Sequence, residues 1–328
     1  MRVVEAVAPT RICDIGGWTD TWFAGFGSVV NLAVTPAVAV RLEAVDDAGG
    51  PDVAIDVENE GRPVPGPHPL LEAAVDHVGV PEGAAVRIAV SSDAPLGASM
   101  GTSAAVLVAL VGALDALSGG GRTPEQVAAE AHRVEVDRLG LQSGVQDQLC
   151  AAVGGVCAID VTAYPAATVT PLDVAADVRA ALDRRLLLAF LGPHRSSPVH
   201  ERVIDELARR ADADTPLPAL RALARRARAS LCAGDLLAFG AVMQESTVLQ
   251  AGLAPGIVSP VAEAVVDAAR RAGALGWKVN GAGGEGGSVT LLAGDDPAPV
   301  AAAVAAVGPP VRLVPVALSA TGLCVRVA

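Results

Sequence analysis

The stretch Pro95-Leu96-Gly97-Ala98-Ser99-Met100-Gly101-Thr102-Ser103 runs directly into Ala104–Leu117, AAVLVALVGALDAL. A segment apolar on nearly every face reads as a helix buried on all sides. Its start is held by the surrounding structure, and the glycine-rich turn ahead of it is held with it. Gly97 and Gly101 let backbone approach a ligand without an intervening Cβ, and Thr102 and Ser103 are N-cap residue types whose hydroxyls can also reach a ligand or a metal. Free N–H groups and the macrodipole at a helix start attract an anion, for which phosphate is the natural guest.

Two rival readings apply to this turn: a plain tight turn, or a hydrolase elbow, since Gly97-Ala98-Ser99-Met100-Gly101 spells G-x-S-x-G with Ser99 as nucleophile. The elbow needs a strand running straight into the serine, whereas Pro95 and Ser91-Ser92-Asp93 interrupt the strand expected at Ala85–Val90. No Gly-Lys-Ser/Thr follows, so the turn is not a Walker A loop.

With 328 residues the chain has room for two domains, and strands come first and helices later, an α+β pattern. We expect strands at Arg2–Ala8, Ser28–Ala33, Ala37–Ala44, Val53–Val57 and Leu186–Leu191, a turn at Asp46–Pro51, and a domain boundary near Tyr164–Asp173. This gives an N-terminal domain of residues 1–175 and a C-terminal domain of residues 176–328. Helices are expected at Leu70–His77, from Thr123-Pro124-Glu125 to Leu139, and then at Val199–Ala213, Pro218–Ala233, Leu236–Leu249, Pro260–Ala272 and Ala298–Val307. The net charge of −12, without a basic stripe, argues against nucleic acid as a partner. Five cysteines without C-x-x-C or zinc spacing fit reduced thiols, and the absence of a leader or long apolar run leads us to expect a cytoplasmic protein that does not enter a membrane.

Four further places carry polar chemistry. The first loop holds Arg11 and Asp20, suited to a phosphate or carboxylate and to paired hydroxyls respectively, or to a structural ion pair. Asp147, between Gln146 and Gln148 beside apolar residues, needs a partner or a task, unless it is a helix N-terminal acid. His194-Arg195-Ser196-Ser197 forms a short basic, hydroxyl-bearing loop after a strand. Gly281–Gly286 matches G-x-G-x-x-G, yet the strand-like SVTLL that follows excludes a dinucleotide fingerprint.

Ala8-Pro9-Thr10-Arg11 with Gly16-Gly17-Trp18-Thr19-Asp20-Thr21, then Pro95–Ala105, then Lys278–Gly287, resemble the three motifs of the GHMP small-molecule kinases, in order and across essentially the whole chain. Within that family the Gly-Gly-Trp-Thr-Asp loop and Gly144–Gln148 resemble the sugar 1-kinases, especially heptose 7-phosphate kinase and the kinase domain of L-fucokinase. The resemblance implies an S5-like N-terminal domain, a ferredoxin-like C-terminal domain, and transfer of the ATP γ-phosphoryl group to a sugar hydroxyl, most simply the anomeric one. It implies that Pro95 and Gly97–Ser103 bind ATP and that Ser103 and Glu135 hold Mg²⁺. Asp147 is then the base, with Arg11 beside it.

The sugar falls to Gly17, Thr19, Asp20, Gly281, Gly283 and Gly284, with Arg195 for a sugar phosphate; the enzyme is a monomer or homodimer. Two departures stand out: Ser99 occupies a usual glycine position, and Glu285 interrupts the third motif with a carboxylate. A free-sugar L-fucose-type kinase, a silent sugar and ATP sensor, and the Ser99 hydrolase are the other readings.

Overall fold

The structure, a computed structural model, describes residues 1–45, 53–194, 197–210 and 212–328. The elements run β1 (Arg2–Ile15), β2 (Gly27–Val45), β3 (Val53–Asn59), β4 (Arg62–Pro63), α1 (Pro69–Val78), β5 (Ala85–Ser92), α2 (Thr102–Leu117), α3 (Pro124–Arg133), a π turn (Val134–Arg138), α4 (Gln146–Val153), β6 (Val156–Ala163) and β7 (Ala166–Pro171). Then follow α5 (Ala176–Arg185), β8 (Leu186–Gly192), α6 (Ser197–Leu207), α7 (Leu217–Ala233), α8 (Leu236–Ala251), α9 (Pro260–Arg271), β9 (Gly276–Val279), β10 (Gly287–Leu292), α10 (Ala298–Ala305), β11 (Arg312–Val314), β12 (Ala317–Leu318) and β13 (Cys324–Val327).

The first sheet is built on β2, whose 19 residues pair with β1 along one edge and, on the other, with β6 in the first half and β5 in the second. Helix α2 lies against it with Ala104, Ala105, Leu107, Val108 and Leu110–Leu114 buried, as its all-apolar sequence requires. The second sheet has the order β11-β8-β10-β9, all antiparallel, with α9 and α10 packed through Val265, Ala269, Val300 and Val304. Numbering its strands one to four along the chain, this is order 4-1-3-2, the ferredoxin-like arrangement. Beyond it, β12 and β13 return to pair with β2 and β1 of the first sheet. No helix among the described residues is long and apolar enough to cross a membrane.

Several local expectations change. The strand expected to stop at Ala8 continues to Ile15, with a register shift between Ala8 and Thr10, because Pro9 removes one ladder donor without ending the pairing. The two strands expected at Ser28–Ala33 and Ala37–Ala44 are one, since β1 pairs on both sides of Thr35-Pro36. Helix α5 was not expected, because Leu182 is its single buried residue and its apolar pattern is weak. The helix beginning at Pro124 gives way to the π turn at Val134, short of Leu139. The turn at Asp46–Pro51 and the residues Arg195 and Ser196 lie outside the described residues.

Candidate active site

The site begins where β5 ends and α2 starts. Gly97, Ser99 and Gly101 take positive φ values of 71°, 56° and 65°, alternating with ordinary residues, so successive peptide units flip sides. The loop's carbonyls are held from behind: Gly97 by the His194 N–H (3.1 Å), Ala98 by the Ser288 hydroxyl (2.5 Å), Ser99 by Arg11 Nη1 (2.6 Å) and Met100 by the Arg11 N–H (2.8 Å). Those bonds engage the loop's carbonyl oxygens, and a run of flipped peptides of this kind forms the concave arrangement that binds anions. Gly101 in the left-handed conformation, not Thr102 or Ser103, flanks α2, and no side chain caps the helix. The two hydroxyl residues lie inside the first turn, so the helix start keeps its orphan donors for a ligand.

Arg11 and Asp147, 136 positions apart, form a bidentate pair, Nε to Oδ1 at 2.7 Å and Nη2 to Oδ2 at 3.0 Å. Burial works against the Arg11 charge, but Asp147 and then Asp14 outweigh it and raise the guanidinium above its ordinary range. Asp147 lies in the first turn of α4 and faces the cleft with a quarter of its side chain exposed. Arg11 occupies two of its lone-pair positions and fixes the direction of the rest. An added Cβ on Gly101 would come within 3.1 Å of Asp147 Oδ2 and 3.2 Å of the Arg11 side chain, so glycine here lets the anion loop touch the pair.

Asp20 is buried and accepts hydrogen bonds from the Gln146 backbone N–H (3.1 Å) and side-chain amide (3.3 Å). Burial pushes its carboxyl up to about 6 against the pull of the Gln146 amide. Glu135 lies in the π turn, an irregularity common at functional sites because it rotates one side chain off the helical face. It accepts from Ser143 Oγ (2.6 Å) and Gln148 Nε2 (2.7 Å), and burial raises it to about 7 while Ser143, Ser103 and Gln148 oppose the rise. A buried carboxylate with neutral donors only is short of positive charge, and with the Ser103 hydroxyl beside it offers hard oxygens to a divalent cation. The pair fits Mg²⁺, which takes few protein ligands and completes its shell with water and phosphate.

The third glycine loop closes the cleft from the second sheet. A register shift in β1 between Ile12 and Ile15 takes Asp14 off the ladder, and it accepts from the Gly281 N–H (3.1 Å) and from Lys278 Nζ (3.4 Å). Lys278 is buried and also donates to Gln250 Oε1 (2.7 Å) and to the Val279 carbonyl; burial pushes its amine below the ordinary range. Gln250 donates to the Gly281 carbonyl (2.8 Å), so both sides of that glycine are tied down. Asn280 accepts from the Cys13 N–H (2.9 Å) and donates to Ser288 Oγ (2.9 Å), whose hydroxyl reaches Ala98. Asp14, Lys278, Gln250 and Asn280 were not singled out from sequence. One signal was available for Lys278: it is the only lysine among 24 basic residues, which marks a place where a guanidinium does not serve.

Arg11, Asp20, Gly97–Ser103, Glu135, Asp147 and Gly281 all line one cleft of about 650 Å³. Pro95, Gly17, Thr19, Gly283 and Gly284 do not. Thr19 is buried and bonds Gly16 and Ser28, Gly17 lies against Asp14, and Gly283 and Gly284 pack on Ile257 and Val199, so these residues shape loops behind the cleft. Arg195 lies outside the described residues. Glu285 is exposed and contributes its carbonyl to His194 Nδ1 (3.2 Å), its side chain standing away from the cleft. The Ser99 hydroxyl is buried without a hydrogen-bond partner, so the hydrolase reading lacks the base it requires.

A glycine-rich loop on an uncapped helix start, a fixed carboxylate and a buried glutamate meet in one cleft, the kinds of group that phosphoryl transfer uses. Family models agree: residues 69–155 match the GHMP kinases N terminal domain and residues 227–309 match GHMP kinases C terminal. A mevalonate kinase of Aeropyrum pernix is 30% identical over 311 residues, 89% of each chain. One of Thermococcus sibiricus is 30% identical over 230 residues, 68% of this chain and 64% of the relative, so the chain spans just under two thirds of that relative's length. A bifunctional fucokinase/GDP-fucose pyrophosphorylase of Arabidopsis thaliana is 25% identical over 318 residues, 88% of this chain and 30% of that protein. The fold matches a putative sugar kinase of Campylobacter jejuni (TM-score 0.76, 17% identity, 100% and 99% of the two chains covered) and a D-glycero-D-manno-heptose 1-phosphate kinase of Bacteriodes thetaiotaomicron (TM-score 0.73, 18% identity, 98% of each). The chain belongs to the GHMP kinases.

Proposed function

We propose that this kinase transfers the γ-phosphoryl group of ATP to a sugar hydroxyl, the anomeric hydroxyl of a heptose 7-phosphate-like sugar. The observation that carries the reading is the Asp147–Arg11 pair at the anion loop, with Asp20 and Gln146 next to it. The loop amides and the α2 start receive the β- and γ-phosphates. Leu96 is shared with a second cavity of about 600 Å³ lined by Asn59, Pro63 and Val64, which leaves room for the nucleoside end.

The new bond joins the acceptor oxygen to the γ-phosphorus, the bond from that phosphorus to the β-bridging oxygen breaks, and ADP departs. The acceptor proton passes to Asp147. Arg11 holds Asp147 at a fixed angle through both oxygens, and Asp20 and Gln146 orient neighbouring hydroxyls. Mg²⁺, held by Ser103 and Glu135, neutralises phosphate charge when bound. The division at residues 1–175 and 176–328, a cytoplasmic setting, and a monomer or homodimer belong to the same reading.

A sugar suits the cleft because the Asp20 carboxylate and the Gln146 amide stand side by side there and can meet neighbouring hydroxyls. A free sugar of the L-fucose type is the second reading: among the described residues Arg11 is the one arginine or lysine lining the cleft, and its guanidinium is engaged. The intact Asp147–Arg11 pair and Glu135 weigh against a silent sensor.

The test is a panel of free sugars, sugar phosphates and mevalonate with ATP and Mg²⁺, reading ADP release and the phosphorylated position by NMR. Asp147→Asn is expected to abolish turnover on the accepted sugar while ATP binding persists. Full turnover by that variant removes the base assignment, and turnover of mevalonate alone removes the sugar.

A further inference from the structure

The chain is poor in aromatic residues, with three Trp, four Phe and one Tyr, yet Trp18, Trp22, Phe23 and Phe26 fall within nine positions. Phe26 has a structural task, lying beneath the Arg221 guanidinium at 3.9 Å. The other three line the cleft. Trp22 stands edge-on to Phe23 (centroids 5.5 Å, 84°), Phe23 is tilted against Trp18 (6.2 Å), and Trp18 is edge-on to His200 of α6 (5.1 Å, 76°), forming one continuous wall.

Core packing accounts for its inner end only: Trp18 is buried with Val203, Leu220 and Ile257, and Phe23 packs against that cluster, whereas Trp22 stands outside it. Trp22 is 48% exposed, and Trp18 holds a positive φ of 76°, a conformation a bulky residue adopts only when the surroundings demand it. The indole N–H of Trp18 has no hydrogen-bond partner. Between the two tryptophans in sequence lies Asp20, whose buried carboxylate belongs to the same cleft. Aromatic faces beside a few directed polar groups suit a ligand with a C–H face and a hydroxyl edge.

We infer that Trp22, backed by Phe23 and Trp18, is the stacking platform for the acceptor, which is therefore a ring-form sugar laid with one C–H face on the indole and its hydroxyl edge toward Asp20 and Asp147. This rests on the sugar-kinase reading and names the acceptor's form. An acyclic acceptor presents no such face. The wall adjoins Asp20 and Asp147, whereas the second cavity adjoins Leu96, so the sugar, not the nucleotide base, occupies it.

The experiment compares the parent protein with Trp22→Ala and Trp22→Phe. Trp22 is a rim residue whose loss leaves the core intact. Tryptophan fluorescence is titrated with pyranoses and pyranose phosphates without nucleotide, and KM for each substrate is measured with the sugar that is turned over. We expect a saturable fluorescence change in the parent that Trp22→Ala loses, an acceptor KM raised about tenfold or more in Trp22→Ala, kcat and the KM for ATP within about twofold, and most of the affinity retained by Trp22→Phe. An unchanged acceptor KM, or a rise in the KM for ATP instead, overturns the platform while sugar turnover leaves the kinase reading standing. Turnover of mevalonate and of no sugar by the parent protein removes both.

Discussion

Replacing Lys278 by Met tests the buried network behind the third glycine loop. The ammonium is about 2% exposed and its Asp14 partner 1%, with Nζ to Oδ1 at 3.4 Å. Removing one member of a buried ion pair costs about 3–5 kcal/mol, mostly because the other charge is left uncompensated. Here Asp14 keeps the Gly281 N–H and lies near Arg11, so the lower end, about 3 kcal/mol, applies. For 328 residues unfolding as one unit that corresponds to a fall in Tm of about 4 °C.

The double variant Lys278→Met with Asp14→Asn removes the orphan charge and is expected to recover about 1.5 kcal/mol or more relative to the sum of the single changes. Lys278→Arg is expected to destabilise as well, since the buried slot has no room for a guanidinium. Urea unfolding of the parent, the single and the double variants gives the cycle. A Lys278→Met protein within about 0.5 kcal/mol of the parent, or single effects that simply add, would refute the reasoning.

Two further changes probe the Asp20 end of the cleft. Its carboxyl is raised to about 6 by burial, so in the free enzyme kcat/KM for the acceptor should rise with pH through about 6 as Asp20 gains the charge that accepts sugar hydroxyls, and Asp20→Asn should lose this limb along with most activity. The sign for stability is opposite: a carboxyl raised on folding favours the native state at low pH, and that contribution falls as pH rises from about 4 to 6, so Asp20→Asn should gain in Tm relative to the parent at pH 7 compared with pH 4. A parallel pair of Tm profiles would contradict this. In Gly144→Ala the new methyl overlaps the Asp20 carboxylate, which must move; the acceptor KM should rise about tenfold with ATP binding retained, and an unchanged KM would show that Asp20 does not touch the acceptor.

Much of the architecture was legible along the chain because its causes are local. The all-apolar run Ala104–Leu117 required a buried helix, Thr123-Pro124 starts a helix as expected, and SVTLL after the third glycine loop is a strand. The glycines at 97, 101 and 281 mark positive φ, a property of a single residue. Arg11, Asp20 and Asp147 were recognisable as polar groups set among apolar or glycine-rich neighbours, whereas Glu135 stood out only through the resemblance to the GHMP kinases. The capping role expected of Thr102 and Ser103 does not hold, since whether a helix start is capped or kept open depends on what faces it.

Only the tertiary structure decided the pairings. Asp14 and Asp20 stand in the same polar loop, yet a bulge in β1 sends one across to the amine of Lys278 in the second sheet while the turn after it lays the other against Gln146. Which carboxylate meets Arg11 is likewise invisible at a separation of 136 positions. The sequence by itself determined most of the elements, the glycine-rich turn ahead of α2 and the inventory of charged groups; the fold determined which of those charges are buried, which are paired and which face the cleft. The reason is physical: backbone conformation and periodicity depend on neighbours in the chain, whereas Coulomb interaction and desolvation depend on distance in space.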